Sequence, residues 1–127
     1  MTDIRTMVFV KASTIADRVF FNKAPRGTAF PYVIFSFPDE GRAYHQQIEK
    51  MLQIRIYDHE KDGYNCPLEI EAITDNLEAG FDYKTASHDT TTAWFRKIGR
   101  NEIPFPEDDE TWGRELLFEM KNYKLGV

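Results

Sequence analysis

The sequence predicts an α+β fold, a mostly antiparallel β-sheet packed with two helices on one face. Two observations carry the prediction. Three segments, 32–37, 52–57 and about 112–123, combine β-branched, aromatic or alternating apolar residues with turn-rich flanks, as strands do. A single amphipathic helix opening at Pro67 stands among the strands instead of one helix after each strand, so hairpins rather than parallel crossovers join most of the sheet. The expected order is α-β-β-β-α-β-β.

The elements follow in chain order. Residues 3–16 place Ile4, Met7, Val8 and Ile15 at helical spacing behind Asp3, a candidate N-cap; a strand over the apolar run 7–10 is the competing reading. Residues 18–21 form a short strand, stopped by the turn Ala24-Pro25-Arg26-Gly27. Pro31 opens a strand over 32–37, at a position where its missing N–H is tolerated. Residues 38–47 are polar and predict a long hairpin connection. Leu52, Ile54 and Ile56 then alternate with Gln53, Arg55 and Tyr57, a strand with one buried face.

Residues 58–65 read as a charged turn, and Pro67 suits the first turn of the helix that follows. Ile70, Ile73, Leu77 and Phe81 give that helix its core stripe, with Gly80 as its expected stop. Its other face carries Glu71, Asp75, Glu78 and Asp82. No Lys or Arg lies between Asp62 and Tyr83, so this acidic ridge has no salt bridges of its own and should face solvent. Residues 84–92 are a loop or weak strand start, 93–98 a strand, and 99–111 a loop with the acid run Glu107-Asp108-Asp109-Glu110. In the final strand Leu116, Phe118 and Met120 should point inward.

Composition bounds the function. The 127 residues are 42% hydrophobic and 29% charged, which suits a single globular domain over 1–127. Folding a chain of this size hides about two-thirds of its surface. The 10 Phe, 6 Tyr and 2 Trp supply bulky groups for a core or an interface. No run of about 18 apolar residues occurs, so no membrane span is expected, and no basic start precedes an apolar stretch, so no signal peptide is expected either. Cys66 is the only cysteine, which excludes a disulfide framework and suits synthesis in a reducing cytoplasm. The net charge of −5 argues against broad nucleic-acid binding. It is unevenly spread: residues 1–35 hold five cations against Asp3 and Asp17, a net of +3, which leaves −8 for the rest.

Catalytic signals are weak. His45, His59 and His88 have no i,i+3 or i,i+4 partner, so no metal set is expected. Cys66 sits at a helix N-terminus, where a thiolate is favoured, but Glu69 opposes it one turn on. The seven glycines form no phosphate-binding loop, and no serine lies in a nucleophile elbow. Arg96-Lys97-Ile98-Gly99-Arg100 beside Trp94 and Phe95 could bind single-stranded nucleic acid by stacking and charge, but the acid run that follows weakens that reading. No cofactor is expected.

Residues 17–35 carry a resemblance. Asp17-Arg18-Val19-Phe20-Phe21, Ala24-Pro25-Arg26-Gly27-Thr28 and Phe30-Pro31-Tyr32-Val33-Ile34-Phe35 resemble the strand, turn and strand signature of the tail-completion or tail-terminator proteins of long-tailed bacteriophages. The alternating strand, the helix and the closing strand are similar to that family in order and length. The resemblance implies a structural protein without catalytic residues. Such a protein forms a ring of copies, commonly six, on the head-proximal end of the tail tube and joins it to the capsid connector. It implies a virion location, the tail tube and connector proteins as partners, and DNA that passes through without specific binding. Under that reading Arg42, Tyr44, His45, Tyr57, Phe105 and Tyr123 are candidate subunit or partner contacts. Glu71, Asp75, Glu78 and Asp82 are the candidate channel or partner face. The alternative is a small α+β enzyme or ligand-binding domain with a site near Cys66 or His59.

Overall fold

A computed structural model describes residues 2–38, 42–44, 47–59, 66–88, 91–104 and 111–124; within these, the side chains of 2–3, 42–49, 66–67 and 122–124 lie outside the description. Helix α1 spans Thr2–Ser13, one residue ahead of the expected cap at Asp3. The strands are β1 (Val19–Phe21), β2 (Tyr32–Ser36), β3 (Arg42–Tyr44), β4 (Gln47–His59), β5 (Thr85–His88), β6 (Thr91–Glu102) and β7 (Thr111–Lys124), with helix α2 (Cys66–Phe81) between β4 and β5. The predicted α+β class holds.

The sheet runs β1-β2-β4-β7-β6-β5, with β3 paired to β4 beside this path. Every pairing is antiparallel except β1 with β2, which run parallel across the connection over 22–31. Helix α1 packs against both β1 and β5, the two ends of the path. Laid flat, those ends would stand about 24 Å apart at about 4.8 Å per strand, beyond the reach of a helix about 10–12 Å wide. The sheet therefore curls around its helices, and α1 bridges the gap between its edges. Helix α2 lies in the hollow against β4, β6 and β7.

The hollow is the core. Val33, Phe35, Leu52, Ile54, Ile56, Phe95, Leu116, Phe118 and Met120 line it, and Ile4, Met7, Val8 and Ala12 of α1 and Ile70, Leu77 and Phe81 of α2 fill it. Phe81 meets Phe95 edge-on at 5.1 Å and Phe118 at 5.7 Å. Both alternating strands face as their patterns predict.

The polar segments depart from expectation. Residues expected in the 38–47 connection form β3 and the start of β4, and Asp58 and His59 extend β4 where a turn was expected. Residues 84–92, expected as a loop or weak strand start, contain β5 and the start of β6, and residues 99–102 belong to β6 rather than to a loop. One reason covers all four. Backbone ladders need a neighbouring strand, not apolar side chains: β7 pairs with β4 from Gln47 to His59 and with β6 from Thr91 to Glu102, while β4 pairs with β3 and β6 with β5.

Gly80 does not end α2. The helix continues to Phe81 and turns at Tyr83, whose φ of 56° is the left-handed conformation that closes many helices. Gly80 serves close packing instead: a Cβ there would overlap Ile15 Cδ1 at the end of α1.

Candidate interface surfaces

The first surface is the junction of α2 with β6 and β7, and a bulge builds it. Phe95 and Lys97 of β6 face the hollow, opposite Met120 and Phe118. The register then shifts between Lys97 and Gly99, so Arg100 and Glu102 lie opposite Leu116 and Arg114 on the same face. Unbroken alternation would have turned Arg100 outward; one extra residue re-aims it at the helix. Its guanidinium reaches Glu71 at 2.7 Å, Asp75 at 2.8 Å and Glu78 at 3.4 Å. Lys97 Nζ lies 3.0 Å from Glu78, and the Lys97 backbone N–H donates to Asp82 at 2.8 Å. Arg114, with only 10% of its side chain exposed, donates through Nε to Glu71 and lies 3.3 Å from Glu102.

The expected solvent-facing acidic ridge is thereby corrected. Glu71, Asp75 and Glu78 are paired with the chain's own cations, delivered from strands that are distant in sequence. The Arg114 hydrogen bond holds the Glu71 carboxyl below the usual glutamate range; burial opposes this, and Arg100 reinforces it. Burial works against the Arg100 charge, but the hydrogen bonds it donates to Asp75, Glu71 and Glu78 outweigh it and raise its pKa. What remains outward on α2 is Leu68, Glu69, Ala72, Asp75, Asn76 and Ala79.

The second surface is the sheet's outer face, which no helix covers. Tyr57, a candidate contact, lies half-buried there with its ring 5.4 Å from Tyr32. Phe30 extends the row, 5.2 Å from Tyr32 and 5.5 Å from His59. Burial and the neighbouring Tyr57 push the Tyr32 phenol up. Cross-strand pairs Arg55–Glu115 at 3.3 Å and Arg96–Glu119 at 2.6 Å occupy the middle of this face. Beside the aromatic row, a recess of about 460 Å³ opens between the turn carrying Lys23 and Arg26 and the rings of Phe30 and Tyr32.

Arg42 and Tyr44 lie on β3, and Tyr123 pairs with Gln47 and Thr92 on β7; their side chains fall outside the described ones. His45 and Phe105 lie outside the described residues, as does the side chain of Cys66. His59 is a strand residue against Phe30, not part of a turn. Among the described residues no three His, Cys, Asp or Glu groups converge on a metal position. No helix among them is long and apolar enough to cross a membrane.

Sequence reasoning placed Arg100 in a basic stretch but missed its pairing with α2, and it missed Arg114 and Asp58 altogether. Asp58 is fully buried, with Oδ1 accepting the His59 backbone N–H at 2.8 Å. Gly99, directly after the expected strand over 93–98, was the one available signal for the bulge. Nothing local marked Arg114, because its partners come from α2 and β6.

No described family matches the sequence, and no curated protein does. Solved structures share the fold. One is a chain of the virion of native gene transfer agent (GTA) particle, with a TM-score of 0.71, 10% identity, and 96% of each chain covered. Another solved chain matches at a TM-score of 0.66 and 14% identity, covering 98% of this chain and 96% of its own.

Proposed function

We propose that this chain is a structural, non-enzymatic subunit of a phage-like particle. It closes a ring on the head-proximal end of the tail tube and joins the tube to the capsid connector. The observation that carries this reading is end-to-end agreement of fold with a chain of a gene transfer agent virion. The signature at residues 17–35 supports the finer role. Its strands are β1 and β2, the parallel pair at one end of the sheet, and the turn between them brings Lys23 and Arg26 to the aromatic recess.

The candidate contacts divide by surface. The aromatic row around Tyr57 is offered to the tube or connector, with Arg42, Tyr44, His45, Phe105 and Tyr123 as further contacts. The α2 carboxylates Glu71, Asp75, Glu78 and Asp82 are offered as a partner face rather than a channel wall. Lys97, Arg100 and Arg114 beneath them cancel much of the field that would repel passing DNA. DNA passes without specific binding, and no membrane or cofactor takes part.

Removing the gene from a particle-producing strain tests the role. The expected result is filled heads without tails, and tail tubes of uncontrolled length. Normal tailed particles from the deleted strain would overturn the proposal.

A further inference from the structure

The two helices present unlike outward faces. On α1, Ile4, Met7, Val8 and Ala12 point into the core, yet Phe9 and Val10 stand 44% and 54% exposed on the other side. A helix that is apolar on both sides is normally covered on both. A cation flanks this face: Arg5, one turn before Phe9, is exposed and lies 5.1 Å from the Phe21 ring centroid.

The outward face of α2 has the opposite character. Leu68 is 67% exposed, and Ala72, Asp75 and Ala79 follow it along one line of the helix. Glu69 flanks this line, the Asp75 side chain is 65% exposed, and α2 contains no Lys or Arg. The alanines leave a shallow seat that lets a second helix approach to about 8–10 Å between axes.

We infer that the outward face of α1 in one copy docks on the outward face of α2 in the next copy of this chain. Phe9 and Val10 fill the seat between Leu68, Ala72 and Ala79, and Arg5 meets Glu69, since Asp75 already pairs with Arg100 within the chain. Charge selects the pairing. Packing α1 on α1 would set Arg5 against Arg5, and α2 on α2 would set Glu69 against Glu69; the unlike pair is complementary. Such a contact is heterologous, so each copy uses both faces and the chain propagates to a closed ring or a filament. The inference rests on the reading of the protein as a self-assembling subunit and names the surfaces that do the assembling.

Two surface variants test it, Phe9→Asp and Ala72→Asp, read by sedimentation velocity across a concentration series. The wild type should associate beyond a dimer as concentration rises. Each variant alone should weaken association at least about tenfold, the loss of one well-buried anchor, while its melting curve shows that it still folds. An equimolar mixture should form dimers and stop there. The intact α1 of Ala72→Asp fits the intact α2 of Phe9→Asp, and the remaining two faces carry like charges. A wild type that is monomeric at millimolar concentration overturns the inference. So do variants that assemble normally, a mixture that stays monomeric, or dependence on an added acidic protein. Particle images separate this from the proposed function: a ring whose neighbours meet elsewhere sinks only the helix contact, and absence from particles sinks only the role in the tail.

Discussion

Ile54 is fully buried between Phe35 of β2 and Leu116 of β7. Ile54→Ala should cost roughly 2–5 kcal/mol, through lost transfer energy and the cavity left behind; urea unfolding reads this directly, and a loss below about 1 kcal/mol would contradict the assigned packing. Glu71 makes a pH prediction. Arg114, and then Arg100, hold its folded pKa below that of the unfolded chain. Its contribution is therefore complete above the unfolded glutamate value and is lost as pH falls through that value towards the folded one. Because 41% of the Glu71 side chain is exposed, solvent screens part of the effect. Unfolding free energy measured down through the carboxylate range should fall less steeply in Glu71→Gln than in the wild type. Equal slopes would mean that the pairing contributes nothing.

The elements divide by how locally they are encoded. Apolar periodicity made α1, β2, α2, the central stretch of β4 and all of β7 legible, because a buried face writes its period into the sequence. β3, β5 and the ends of β4 and β6 were not legible. They are polar, and only their pairing with distant strands makes them strands. The candidate site was legible only in part. The carboxylates of α2 were visible as a helix face, but their cations come from β6 and β7, and a bulge rather than a pattern aims Arg100 at them. Arg100→Met keeps the strand length and removes the cation that reaches Glu71, Asp75 and Glu78. The variant should unfold at lower denaturant than the wild type, and its stability should depend less on salt. An unchanged midpoint and salt dependence would show that these pairs do not hold the junction.

Across the whole molecule the curled sheet, the bridging α1 and the nested α2 leave three kinds of surface: an uncovered sheet face with an aromatic row, a cationic apolar helix and an acidic helix. A subunit that must meet copies of itself and other proteins needs unlike surfaces of this sort. A metal has no converging ligand set among the described residues, so treatment with a chelator should leave the melting temperature unchanged; a fall in melting temperature would reveal a structural ion. The central claim is that this chain is a ring between tail tube and connector. Electron cryomicroscopy of intact particles, with the reconstruction carried through the neck, tests it most directly. Density for this curled sheet and its two helices should repeat around the tail axis with the symmetry of the tube and lie at its head-proximal end. Finding the chain elsewhere in the particle, or not finding it in particles at all, would contradict it.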